Sequence, residues 1–217
     1  MSSVLLVCTG NICRSPMAEG FLRARLAERG IDAIEVASSG TNGLAGWGAA
    51  PEAVEAMAEH GVDISGHVAR ELARDQVRPA RLVLGMTEAH ARAVAGLMAP
   101  AAGRTFTLKE LVRLLDHLAA AGRLHADGSP PELLVSAVAL AEELRRTGTL
   151  PPPADADIAD PLGLGTQAFR ATAWEIEGLC RRLVDLVLDG DGDGAAPGPV
   201  PSTRAEAAVW GGREGTG

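Results

Sequence analysis

The chain has no tyrosine, and its aromatic residues are three phenylalanines and three tryptophans among 217 residues. Any aromatic-walled site must be built from very few side chains. Cysteine is also scarce, with three in the whole chain, which fits a reducing compartment and so a cytoplasmic location. Positive charge is in deficit: the formal net charge is -8 and no basic run is visible, which speaks against a nucleic-acid partner. No apolar segment is long enough to cross a bilayer and no basic-then-apolar leader is visible, so neither a membrane partner nor secretion is expected. His60, His90, His117 and His125 lack metal-ligand spacing, and Cys180 falls in a helical pattern. Surface or core roles are expected for these five, with no metal and no cofactor.

What is present is concentrated near the N-terminus. Val4-Leu5-Leu6-Val7 is a short apolar run suited to a strand buried on both faces. It runs into Cys8-Thr9-Gly10-Asn11-Ile12-Cys13-Arg14-Ser15-Pro16, a Cys-x5-Arg-Ser loop followed by a helix start. Pro16 has φ already set for a first helical position and Ser15 can cap, so a helix is expected over 16–29, stopped by Gly30. Strand, tight loop and helix N-terminus together deliver backbone N–H groups to one point, which suits a dianion. Cys8 at the strand exit faces the same positive environment, and that favours a nucleophilic thiolate. Arg14 offers a planar fork for two phosphoryl oxygens. Asn11 and Ser15 are placed to stiffen the loop, and Ser15 also to donate to the sulfur.

Periodicity gives the organisation. Strands are expected over 34–38, 81–85 and 105–108, and helices over 51–60, 88–97, 132–146 and 168–188. Strand–helix alternation implies an α/β fold: one doubly wound domain over 1–188, with a central four-stranded parallel sheet covered by helices on both faces. Ligands in such sheets bind beyond the carboxyl ends of the strands at a switch point, where the first strand places Cys8. Residues 114–156 read as a helical insertion leading into the acid loop around Asp160, by default an extra surface helix or two, with a lid or partner surface as the alternative. Residues 189–217, rich in Gly, Pro, Ala and charge, read as a disordered tail. The run Asp189 to Gly194 imitates a calcium loop but carries Val200 where the bidentate glutamate belongs. Gly163-Leu164-Gly165-Thr166-Gln167-Ala168 imitates a dinucleotide fingerprint, yet prolines precede it where a strand is required.

Val7 to Glu19, as Val-Cys-Thr-Gly-Asn-Ile-Cys-Arg-Ser-Pro-Met-Ala-Glu, resembles the signature of the low-molecular-weight protein tyrosine phosphatases. The resemblance implies a phosphatase I-like fold, Cys8 as a nucleophile that becomes a phosphocysteine, Arg14 as phosphate clamp, and a phosphate-binding loop of Thr9, Gly10, Asn11, Ile12, Cys13 and Ser15. Val36 to Thr41 is similar to the second strand of the family, with Ser38 bracing the loop. Residues 61–70 are similar to a later landmark in which His67 joins that network. The resemblance also implies a general acid in an Asp-Pro motif, found here as Asp160-Pro161, and a reversible Cys8–Cys13 disulfide, beside the plainer reading that Cys13 packs beneath the loop.

The chemistry asks for such an acid independently. A phosphate ester leaves badly unless its oxygen is protonated, and the phosphoenzyme then needs a base to activate water. Asp160 is the expected acid/base, with Asp157 second. Substrate is less defined. Leu162 and Leu44 stand where the family often has aromatic walls, and Trp47 is the nearby aromatic residue. Related phosphoarginine phosphatases tend to carry threonine at the position of Ile12, so isoleucine favours the tyrosine class. The expected substrate is a phosphotyrosine-bearing protein or a small aryl phosphate. A thiol-dependent arsenate reductase, a phosphoarginine phosphatase and a catalytically silent phosphate-binding module are the alternatives.

Overall fold

The computed structural model describes residues 2–124, 127–151 and 155–190. Its elements run β1 (Ser2–Cys8), α1 (Arg14–Glu28), β2 (Ile34–Gly40), α2 (Pro51–Ala58), α3 (Arg74–Val77), β3 (Leu82–Gly85) and α4 (Glu88–Leu97). A 3-10 turn (Ala99–Arg104), β4 (Thr105–Thr107), α5 (Leu108–Ala120), α6 (Pro130–Thr147) and α7 (Thr166–Asp189) complete them. The four strands form one parallel sheet in the order β2-β1-β3-β4, as the alternation implies. Because the chain leaves β1 toward β2 and later crosses to β3 on the other side, the end of β1 is the switch point.

Alternation along β1 divides the core. Val4, Leu6 and Cys8 face the large cluster formed with α1, α2, α5, α6 and α7. Leu5 and Val7 face a smaller one with Val77, Val83, Val94 and Ala101. Every residue of β3 is buried, the signature of a strand covered on both faces.

Several sequence expectations need correction. Helix α1 begins at Arg14, with Cys13 as its N-cap residue, so Pro16 is third in the helix. A proline is tolerated there because that N–H lacks an intrahelical partner anyway. Ser15 makes no cap; its hydroxyl is committed to Cys8. Strand four stops at Thr107, which caps α5 in a reciprocal box with Glu110, so Leu108 is helical.

The segment 114–156 is not surface decoration. Leu111, Leu115 and Leu118 of α5 and Leu134, Ala137 and Ala141 of α6 are buried in the main core. Helix α6 also covers β4, the edge of the sheet: Arg145 donates to the Thr105 carbonyl at 2.7 Å and lies 4.0 Å over the Phe106 ring. Helix α7 carries Asp189, which the tail reading had placed beyond it. The remainder of that expected disordered tail, from 191 onward with most of the calcium-like run, lies outside the described residues, as does His125. Among the described residues no helix is long and apolar enough to cross a membrane.

Candidate active site

The turn between β1 and α1 is held open by its surroundings. The carbonyls of Cys8, Thr9 and Gly10 accept from the amides of Thr41, Asn42 and Leu44 at 2.9, 3.0 and 3.0 Å, and that of Ile12 accepts from Ala50 at 2.8 Å. The chain after β2 therefore wraps the loop and turns its carbonyls outward, the arrangement in which N–H groups converge on a dianion. Gly40 is required for this approach, since a Cβ there would lie 2.3 Å from the Thr9 carbonyl.

Asn11 is the pivot. It is the one non-glycine residue with positive φ among the described residues, at 56°, a conformation that asparagine tolerates better than most residues. Its Nδ2 donates to Ser15 Oγ at 2.9 Å and to Ser38 Oγ at 2.8 Å. Its Oδ1 accepts from the Arg70 amide at 2.8 Å, and its carbonyl accepts from His67 Nε2 at 2.8 Å. The direction of the chain is fixed at its far end. Ser38 donates to the buried Glu19 carboxylate at 2.5 Å and so receives from Asn11. At the near end Ser15 donates to Cys8 Sγ at 3.0 Å, and the Asn11 amide approaches the same sulfur at 3.3 Å. Two donors converge on a sulfur, the setting that an anionic sulfur accepts. Cys13 differs: burial first, then the neighbouring Cys8 and Asp160, push its thiol up to about 12, so it stays protonated. The three cysteines are free.

Arg14 is buried at the floor of a pocket of about 180 Å³. Its two terminal nitrogens donate to the Ile158 carbonyl at 3.1 Å and to Asp160 Oδ2 at 2.5 Å. Its buried Nε has no partner among the described residues. A buried guanidinium whose donors are not all paired is suited to an anion. Ile12, Leu44 and Leu162 form the apolar walls, and Asp160, with its side chain 46% exposed, stands at the lip. Asp157 is elsewhere, accepting from the Glu88 amide at the start of α4 at 2.7 Å. The geometry thus separates the two carboxylates that the sequence left in contention.

Three residues escaped sequence reasoning. Glu19 anchors the hydrogen-bond chain, and its presence in Pro16-Met17-Ala18-Glu19 was the available signal. Arg70 gives its amide to Asn11 and its guanidinium to the Ser38 carbonyl at 3.2 Å, contacts to distant residues that no sequence pattern reveals. His90, given only a surface or core role, lies behind the loop: its Nε2 is 3.0 Å from Thr9 Oγ1 and its Nδ1 2.9 Å from Thr87 Oγ1. Burial, then the charge of Arg14, lower its pKa to about 4, so it is a neutral imidazole there. Among the described residues no group of His, Cys, Asp and Glu could hold a metal ion.

Residues 3–123 match the family described as low molecular weight phosphotyrosine protein phosphatase, more than half of the chain. The chain belongs to that family. It is 40% identical over 111 residues to a probable low molecular weight protein-tyrosine-phosphatase, EpsP, of Ralstonia solanacearum, a match covering 51% of this chain and 73% of the relative. It is 37% identical over 109 residues to the protein-arginine-phosphatase of Bacillus subtilis, covering 50% and 71%. The fold superimposes on the low molecular weight protein tyrosine phosphatase of T. tengcongensis with a TM-score of 0.63 at 32% identity, over 85% of this chain and 98% of that one. In this phosphatase residues of the loop from Cys8 to Arg14 line one pocket with Asp160 at its mouth, and the Ser38–Asn11 link and the His67 contact brace that loop.

Proposed function

We propose that this protein is a cytoplasmic cysteine-dependent phosphatase that hydrolyses phosphotyrosine on proteins through a phosphocysteine intermediate. One observation carries the reading: Cys8, Arg14 and Asp160 meet at a single pocket whose other walls, Ile12, Leu44 and Leu162, are apolar. The dianionic phosphate sits on the loop amides and takes over the Arg14 fork from Asp160. Cys8 sulfur then attacks phosphorus in line as the ester P–O bond breaks, and Asp160 gives its proton to the departing phenolic oxygen. Arg14 holds the equatorial oxygens through the loose transition state. In the second step water attacks phosphorus and the P–S bond breaks. Asp160, now a carboxylate, takes the water's proton, which returns thiolate and releases phosphate.

Ile12, Leu44 and Leu162 supply flat apolar flanks suited to an aryl ring rather than to a guanidinium head. The 37% identical protein-arginine-phosphatase keeps phosphoarginine as the second reading. Measuring kcat/KM on phosphotyrosine and phosphoarginine peptides decides between them. A protein that prefers phosphoarginine overturns the tyrosine assignment but not the cysteine chemistry. Cys8→Ser should abolish turnover while phosphate-analogue binding persists, because the loop donors remain and the reactive anion does not. Asp160→Ala should slow esters with poor leaving groups by about 10²–10⁴-fold and activated ones far less. Substantial turnover by Cys8→Ser, or a flat dependence on leaving-group basicity for Asp160→Ala, would overturn the mechanism.

A further inference from the structure

Six large hydrophobic side chains stand exposed among the described residues: Leu44, Trp47, Val68, Val135, Leu162 and Leu164. Scattered exposed apolar side chains are ordinary, but most of these are not scattered. Leu44 and Leu162 line the pocket from opposite loops. Trp47 and Leu164, 65% and 70% exposed, follow them on the same two loops, in turns closed by Trp47 N to Leu44 O at 2.9 Å and Leu164 N to Pro161 O at 3.0 Å. Four of the six therefore belong to the two loops that meet at one mouth, while Val68 lines a separate cleft beside Arg23 and Asp63 and Val135 lies on α6.

Beyond Asp160 itself, the same loops carry no charge. Residues 36–51 and 161–169 contain no Asp, Glu, Lys or Arg, in a chain where these four types make up 22%. Resting on the phosphatase reading above, we propose that this rim docks the segment of a protein substrate that bears the phosphorylated residue, and selects apolar residues flanking it.

Continuity with the pocket fixes the occupant. A pocket of about 180 Å³ takes a phosphate and its ring, so the substrate backbone must remain at the mouth. In an extended segment, rising about 3.3 Å per residue, the side chains on either side of the phosphorylated one fall within reach of the rim. On one side they meet Leu44 and Trp47, on the other Leu162 and Leu164. With Asp160 engaged at the reacting oxygen, an acidic or basic flank would be desolvated against these two loops with no other charged side chain on them, whereas an apolar one removes surface from water on both partners. Recognition of this kind should also be insensitive to salt, unlike steering by charge.

The test compares kcat/KM for a small aryl phosphate with that for phosphotyrosine peptides whose flanks are all Leu and Val, all Glu, or all Lys. Apolar flanks should be favoured by about tenfold over either charged set, with the order unchanged between low and high salt. Trp47→Ser and Leu164→Ser, neither of which lines the pocket, should lower kcat/KM for the apolar peptide by about fivefold or more, chiefly through KM. Both should leave hydrolysis of the small aryl phosphate unchanged. Equal rates on the three peptides, a preference for charged flanks, or no response to either substitution would overturn the proposal. So would self-association, or binding to phosphatidylcholine vesicles, that Trp47→Ser abolishes without any effect on peptides. Failure of the unaltered protein to hydrolyse the small aryl phosphate is a separate result, and it would remove the phosphatase reading together with this one.

Discussion

Lys109 Nζ lies 2.8 Å from the carbonyl oxygen of Asp157, and the same ammonium reaches Asp155 Oδ2 and Glu175 Oε1, each at 2.7 Å. One side chain in the first turn of α5 thus ties the loop carrying Asp160 to α7. Burial alone would lower the pKa of this ammonium, but the carboxylates of Asp155 and Glu175 raise it, so it stays charged. The clamp is reinforced by Ile158, buried at 1% exposure, whose amide bonds the Met86 carbonyl at 2.8 Å. Asp160 is held at the pocket by a loop pinned from several directions, not by its own contacts alone.

Removing the clamp should therefore loosen the acid without touching the nucleophile. Lys109→Met is expected to lower kcat for esters with poor leaving groups by about tenfold, since small misplacements of a catalytic group are costly. Activated aryl phosphates and the inhibition constant for inorganic phosphate should hardly change. Lys109→Arg should restore part of the loss. A uniform drop across leaving groups would assign Lys109 to stability instead, and thermal unfolding of the same variants separates the two.

The contrast between Cys8 and Lys109 explains what was legible in the sequence. Strand, loop and helix start are consecutive from Val4 to Pro16, so local rules reach them, and Cys8, Arg14, Asn11 and Ser15 could be read together. Ser38, His67 and Asp160 lie far away along the chain and were placed only through resemblance to a family. Lys109 and His90 carried no such mark, because their partners are set by packing of α5 and α4 against the loops. The helix α5 was missed although Thr107 and Glu110 form a capping box, since the preceding β-favouring residues masked its start. Helix α6 was visible but its burial was not. Whether an amphipathic helix is covered depends on the edge of β4 and the face of α5, which a period cannot show.

Glu19 is expected to matter more than its distance from the sulfur suggests. Its carboxylate is the acceptor that sets the direction of the Ser38–Asn11–Ser15 chain, and it pairs with Arg23 at 2.8 Å. Glu19→Ala leaves the Ser38 hydroxyl without its acceptor in a buried site, at a cost of about 1–3 kcal/mol. Turnover should fall with it, and vanadate should bind more weakly, because the loop is no longer held in one hydrogen-bonded state. Glu19→Gln, which keeps an acceptor oxygen, should retain more of both. Denaturant unfolding and vanadate titration check the pair of effects.

Arg145 offers the opposite case, a residue of the fold and not of the site. It donates to the carbonyls of Thr105 at 2.7 Å and Ala102 at 2.9 Å while covering Phe106 on the edge strand. Arg145→Ala should destabilise the protein by about 1–3 kcal/mol, through lost hydrogen bonds and a lost cation–π contact. Turnover per folded molecule should be unchanged. A marked loss of kcat at a temperature where the variant is fully folded would show that α6 acts on the site as well as on the edge of the sheet.

His90 makes a pH-dependent contribution whose sign can be worked out. Its pKa is lowered to about 4 from the ordinary 6.5, first by burial and then by the charge of Arg14, against smaller opposing effects of Asp157 and Asp160. Between those two values the unfolded chain binds a proton that the folded one refuses. Acidification through that window therefore favours unfolding, while at pH 7 and above the effect is absent. His90→Asn removes the titrating group and leaves an amide to meet Thr9 or Thr87. It should be less stable than the unaltered protein at pH 7, because the imidazole bridge between Thr9 and Thr87 is lost. The gap should narrow as pH falls from 7 to 5, since only the unaltered protein suffers the protonation penalty. Urea unfolding at both pH values measures this. A gap that stays constant, or widens, would mean that the imidazole takes up its proton in the folded state, and that Thr9 accepts from a cation instead of sharing a hydrogen with a neutral ring.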